Sequence, residues 1–188
     1  MERSDSIEKV ETPIRPAATV ILVRDGSLGL EVLVQRRSSA MVFAPGAYAF
    51  PGGAVDPEDE QHGDAFRNAA VRELHEEAGV RVDPADLHPW ARWVTPPGRT
   101  RRFDTWFFIA VAPDDAQVTS VADDEVDLHA WVQPADLIAL YESDEVTMLP
   151  PTLITLGELS GFATVAELIA ASIKREPPFF DGATMRMV

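Results

Sequence analysis

Phe50-Pro51-Gly52-Gly53, followed after a polar loop by Arg72-Glu73-Leu74-His75-Glu76-Glu77-Ala78-Gly79-Val80, is the stretch on which the reading of this chain turns. At about 100° per residue, Glu73, Glu76 and Glu77 fall within one helical arc of roughly 100°, while Ala70, Val71, Leu74 and Ala78 occupy the adjoining arc. Three carboxylates therefore border a buried face. Like charges at these spacings cost about 0.2–0.5 kcal/mol per pair, and within the helix only Arg72, four residues before Glu76, offsets them. A cation belongs there. Clustered carboxylate oxygens suit a hard ion such as Mg²⁺, which keeps several waters and is completed by substrate phosphates. The competing reading is a solvated acidic face. Pro51-Gly52 reads as the centre of a type II turn in which Gly supplies the positive φ, and the glycine pair lets the backbone approach an ion or phosphate closely. Asp64 caps the helix and Gly79 ends it in the left-handed conformation, which predicts a helix over roughly 64–78.

Upstream, Ala17 to Arg24 and Leu30 to Arg36 are aliphatic, β-branched runs joined through Asp25-Gly26-Ser27-Leu28-Gly29, which predicts a hairpin. Gln35-Arg36-Arg37-Ser38 opens an irregular segment that runs to Phe50. Downstream, Leu87 to Val94 reads as a strand that Pro89 places partly at an edge. Arg99-Thr100-Arg101-Arg102 leads into Phe103 to Val111, a near-continuous apolar run expected to be buried on both faces. The basic mouth of that strand is either a solvated turn or a contact for phosphate or ribose. After the acidic loop from Asp114 to Asp127, Val126 to Val132 alternates as a half-buried strand. Pro134 to Tyr141, the segment from Pro150-Pro151, and the capping-box sequence Thr164-Val165-Ala166-Glu167 each predict a helix. Residues 1–16 read as a flexible leader and 17–175 as one domain. Residues 176–188 read as an extended tail that packs on the body or on a partner subunit of a homodimer. Periodicity alone gives α/β or α+β.

The formal net charge of −15 argues against broad attraction to nucleic acid or anionic membrane, yet leaves small phosphorylated substrates open, since a metal ion and a few arginines supply positive charge locally. With no Cys in the chain, disulfides, thiolate metal sites and a Cys nucleophile are excluded. No apolar run reaches membrane-spanning length, and the expectation is a cytoplasmic protein.

Arg72 to Val80 matches, without a gap, the second half of the Nudix box, Gly-x5-Glu-x7-Arg-Glu-U-x-Glu-Glu-x-Gly-U with U aliphatic, and the chain thereby resembles the Nudix hydrolases. The resemblance implies an α/β/α sandwich with a mixed sheet and metal-dependent hydrolysis, with Mg²⁺ or Mn²⁺, of a nucleoside diphosphate linked to a group X. Carried over by position, Glu73, Glu76 and Glu77 bind metal beside the Gly53 backbone, and Arg72 braces the glycine loop through an acidic partner. One of the glutamates, or Glu125, acts as base; Asp123, Asp124 and Asp127 compete with Glu125. The first half of the box departs from the pattern. Counting from Gly53 puts Asp59 at its Glu, whereas Asp64 has the family spacing to Arg72, so an insertion of about five residues is inferred in a loop that tolerates it. Either Asp59 or Asp64 is the partner.

Arg37-Ser38, Met41, Pro45-Gly46, Tyr48 and Phe50 to Gly53 resemble the segment preceding the box in coenzyme A diphosphatases. Arg101-Arg102-Phe103-Asp104-Thr105 and Leu149-Pro150-Pro151-Thr152 resemble the acyl-CoA relatives within that branch. This implies substrate contacts from Arg37, Ser38, Arg101, Arg102 and Phe103. The readings that follow are a CoA or acyl-CoA diphosphatase, a hydrolase of another diphosphate with ADP-ribose leading, and a Nudix-derived module that senses a nucleotide without cleaving it. The intact Arg72, Glu73, Glu76 and Glu77 count against the last.

Overall fold

The computed structural model describes residues 12–41, 44–61, 63–119 and 125–182. Residues 1–11 of the expected leader, 183–188 of the expected tail, and Asp123 and Asp124 lie outside them.

Strand β1 (Ile14–Gly26) is buried almost without interruption from Ala17 to Val23 because it has neighbours on both edges and layers on both faces. It pairs in parallel with β6 (Arg102–Val111) from Ile14↔Arg102 to Val23↔Val111. Ile14, Arg15 and Pro16 are thus sheet residues and not part of a leader; the partner that makes them so lies almost ninety residues away. Strand β2 (Gly29–Arg37) returns antiparallel on β1 through Gly26↔Gly29, as the hairpin signal predicts. It runs one residue past the expected strand end at Arg36, taking in Arg37 from the segment read as irregular.

Strand β7 (Val126–Val132) takes the other edge of β2, and β5 (His88–Val94) follows β6. Phe179–Asp181 form β8, which adds in parallel to β5, with the Phe180 ring stacked on Trp93 at 3.9 Å between centroids. The result is a mixed eight-stranded sheet.

Beyond Val23↔Val32, β1 and β2 part. The wedge is filled by β3 (Tyr48–Ala49), which pairs with Gln35 and Arg36, and by β4 (Gly52–Ala54), which pairs with Ala17 to Thr19. The glycine pair is therefore a short strand. Gly52 has φ of +158° and lies in a β ladder, where a type II turn would need about +80°.

Helix α1 (Ala65–Ala78) lies under one face, packing Ala69, Ala70, Leu74 and Ala78 against Ala18, Val20, Leu22, Leu33 and Phe108. On the opposite face, α2 (Pro134–Glu142), α3 (Pro150–Leu159) and α4 (Val165–Lys174) bury Leu137, Leu156, Leu159 and Leu168 against Ile21, Val32, Trp90 and Ile109. These are the three layers of an α/β/α sandwich. No helix among the described residues is long and apolar enough to cross a membrane.

Candidate active site

Asp64 accepts from the Phe66 and Arg67 amides, and Gly79, at φ of +72°, closes the helix by donating to the His75 carbonyl, so both predicted caps of α1 are present. The helix meets the wedge between β1 and β2 with its acidic arc. The three glutamates differ sharply in exposure. Glu77 is buried at 8% and belongs to the packed face itself, Glu73 is 16% exposed at its side chain, and Glu76 is 52% exposed.

Arg72 is held from every side. Its Nη2 donates to Asp59 Oδ2 and to the Ala54 carbonyl, both at 2.9 Å, and its Nε donates to the Asp59 carboxylate at 3.2 and 3.3 Å. Its Nη1 donates to Glu73 Oε1 at 2.8 Å and to Glu76 Oε2 at 2.9 Å, and Asp56 lies 3.7 Å from Nη2. Hydrogen bonding to Asp59, more than any other cause, holds the guanidinium above its ordinary value. Asp59 is buried and, in addition to Arg72, accepts from the Asp56 amide. The open choice between the two aspartates therefore resolves into two roles: Asp59 fixes Arg72, and Arg72 ties α1 to the carbonyl that follows the glycine pair, while Asp64 caps the helix.

Glu77 Oε2 accepts from Gln35 Nε2 and from the Gly52 amide, each at 2.8 Å. Burial raises its carboxyl to about 7, against the opposing pull of those two bonds and of the Arg37 charge. Burial likewise raises Glu73, with Arg72 opposing. Glu73 lies against the Cα of Gly53, where any Cβ would meet its carboxylate. At Gly52 an added Cβ would run into the Ala18 carbonyl oxygen and come within 2.7 Å of the Thr19 Cα. Because those are backbone atoms in the central strand, Gly52→Ala is expected to lower the unfolding free energy by about 1–3 kcal/mol, read from the denaturant midpoint.

The other expected site residues divide. Arg37 ends β2 at the same wedge with Ser38 just after it, and the Ser38 amide donates to the Glu125 carbonyl at 2.7 Å, so Glu125 sits beside them at the head of β7 with its side chain exposed. Arg102 is different. It is buried at 7%, and its Nε donates to the Thr95 carbonyl at 3.1 Å, bracing the loop that precedes β6. Arg101 is exposed and Phe103 half-buried at the same end of the sheet. They reach the glycine strand only through register, since Ala18 pairs with Trp106 on one side and Gly53 on the other. Gln35 was missed as a site residue. Its signal was an amide in the strand run Leu30 to Arg36, two residues past Leu33 and therefore on the α1 face.

Whether these side chains suit a divalent cation is decided by their chemistry. Arg72 is the counter-ion of Asp59, Glu73 and Glu76, while for Glu77 the favourable charge is that of Arg37, and desolvation raises both Glu73 and Glu77, so the pocket carries carboxylate charge that a cation would neutralise. All the donors are hard oxygens. In the present rotamers no three His, Asp or Glu side chains among the described residues converge closely enough to hold an ion. One oxygen each of Glu73 and Glu76 is turned toward Arg72.

A mixed α/β/α sandwich with a glycine strand over an Arg-braced acidic helix defines the fold and frames the candidate site. The NUDIX domain family matches residues 13–150, most of the chain, and the chain belongs to that family. It is 25% identical to the acyl-coenzyme A diphosphatase NUDT19 of Homo sapiens over 74% of this chain and 63% of that protein. It is 38% identical to the peroxisomal coenzyme A diphosphatase ndx-8 of Caenorhabditis elegans over 43% of this chain and 33% of that one. Among solved structures, a NUDIX hydrolase from Alicyclobacillus acidocaldarius superposes with a TM-score of 0.76 at 29% identity, covering 85% of this chain and 97% of the other. The chain spans 63% of the length of the first curated relatives it matches.

Proposed function

We propose that the protein is a divalent-metal-dependent diphosphatase that hydrolyses CoA or acyl-CoA to 3′,5′-ADP and the corresponding phosphopantetheine. The observation that carries the reaction class is the pairing of two neighbouring carboxylates, half-buried Glu73 and buried Glu77, with the Gly52-Gly53 backbone under the Arg72–Asp59 brace. Similarity to relatives named as CoA and acyl-CoA diphosphatases supports the substrate.

Glu73, Glu76 and Glu77, with the Gly53 backbone, would hold Mg²⁺ or Mn²⁺, which when bound neutralises diphosphate charge and acidifies the attacking water. Arg72 keeps the glycine strand and α1 in fixed register, so the carboxylates do not have to reorganise as charge shifts between the two phosphates. A glutamate takes the proton as the water oxygen forms its bond to one phosphorus and the bridging P–O bond breaks toward the other phosphate. Glu125, exposed at the head of β7 beside Ser38, is the alternative base that the family resemblance implies. No covalent enzyme intermediate is required.

The reading is tested by incubating the protein with Mg²⁺ or Mn²⁺ and, separately, CoA, an acyl-CoA, ADP-ribose, NADH and dNTPs, then identifying products by mass. Appearance of 3′,5′-ADP from CoA or acyl-CoA is expected. Cleavage of ADP-ribose with CoA untouched would replace the substrate and keep the mechanism, and binding without turnover of any of them would favour a sensing module.

A further inference from the structure

The side of β2 that faces α1 carries a polar pair that the reaction scheme leaves unused. Gln35 is 1% exposed; its Nε2 is committed to Glu77 and its Oε1 is buried without a hydrogen-bond partner. Directly across the β2–β7 ladder stands His129, whose Nε2 is also buried without a partner. Cross-strand neighbours in register share a face, and the adjacent pair of that face, Leu33 opposite Trp131, packs on the α1 side of the sheet. Gln35 and His129 therefore lie on the α1 face of the sheet, the face from which Glu77 reaches Gln35. Unpaired buried polar atoms each cost about 1–3 kcal/mol, and here an orphan acceptor and a nitrogen able to donate sit on cross-strand neighbours without being bonded to each other. Burial pushes His129 below its usual value, so the ring is neutral near pH 7 and one of its nitrogens carries the proton.

We propose that His129 and Gln35 form a positioning relay for Glu77, closed by a side-chain rotation that the present rotamers have not made: the His129 Nε2–H then donates to Gln35 Oε1, which fixes the amide so that Nε2 must face Glu77. With the amide held that way, Nε2 and the Gly52 amide both claim Glu77 Oε2, and Oε1 is the oxygen left to bind a cation. The reversed amide would set Oε1 against the Glu77 carboxylate and would need the Nδ1–H tautomer of His129 to accept from Nε2. Residues that orient a ligand in this manner change metal affinity by about 10–100-fold when removed. The relay deepens the proposed function and rests on Glu77 being a metal ligand.

Two measurements test it on the full chain. Long-range ¹H–¹⁵N spectra of the wild-type protein are expected to show His129 as the Nε2–H tautomer, an experiment that needs no variant to fold. Titration with Mn²⁺ alone, followed by electron paramagnetic resonance, is expected to show about 10-fold or greater loss of affinity in Gln35→Leu and in His129→Leu. In His129→Gln, which restores a donor, affinity should recover most of that loss. An Nδ1–H tautomer, or wild-type affinity in Gln35→Leu, would overturn the relay alone. A wild-type protein that binds no Mn²⁺ would overturn the functional reading and the relay with it.

Discussion

Glu77→Gln is expected to lower kcat by about 10³-fold, the scale on which preorganised charge stabilisation is lost at such sites, while leaving the metal-free fold more stable than wild type. The two effects have one cause. The side chain is buried against Gln35 and Gly52, and an amide oxygen there can still accept both of their hydrogen bonds while removing a desolvated charge. The stability gain has a definite pH window. Because burial raises the folded-state value to about 7 from an ordinary 4.5, the folded protein holds this proton where the unfolded chain has released it. Stability from this group is fully present below about pH 4.5 and falls as pH rises through 7, by a total of about 3 kcal/mol. Glu73 shifts in the same direction and steepens the fall. Denaturant midpoints of metal-free protein at pH 5 and pH 8 should therefore differ clearly in wild type and less in Glu77→Gln, and added Mn²⁺ should recover wild-type stability at pH 8. Equal midpoints in the two proteins at pH 8, or near-normal turnover in the variant, would show that Glu77 is not the buried metal-binding carboxylate.

The parts of the fold that local signals determine were legible. Asp64 and Gly79 mark both ends of α1, the glycine-rich turn joins β1 to β2, and the apolar run after Arg102 is the buried strand β6. What was not legible depends on partners distant in sequence. Ile14 to Pro16 are extended because Arg102 to Asp104 pair with them, and nothing in a proline-broken leader announces that. Pro51-Gly52 carries a turn signature, yet the parting of β1 and β2 offers Gly52 a free ladder edge, and the absence of a Cβ is used for close approach to Ala18 and Thr19. In the site, helical spacing put the three glutamates on one arc, and the Nudix resemblance singled out Arg72 as the brace. Neither could rank the glutamates, because burial of Glu77 and exposure of Glu76 depend on where the wedge lies. Arg102 looked like a mouth residue from its charge, whereas its side chain turns inward to Thr95.

Asp59 and Asp64 make the sharpest contrast in stability. Spacing to Arg72 favoured Asp64 and counting from Gly53 favoured Asp59, yet the physical roles are of different size. Asp64 sits at an exposed helix start, and Asp64→Ala removes one cap, at a cost of about 1 kcal/mol. Asp59→Ala removes the buried carboxylate from a guanidinium whose Nε and Nη2 both bond to it, and also strips the Asp56 amide of its acceptor, at a cost of about 3–5 kcal/mol. The functional consequence follows from charge. Freed of Asp59, Arg72 keeps Glu73 and Glu76 as its counter-ions and competes with any cation for them, so Mn²⁺ affinity should fall in Asp59→Ala and hold in Asp64→Ala. Asp59→Asn separates the two effects, since it retains an acceptor for Arg72 and the Asp56 amide but not the charge: most of the stability should return while Mn²⁺ affinity stays low. Equal losses of stability in the two alanine variants would mean that the insertion has left Arg72 anchored by something other than Asp59.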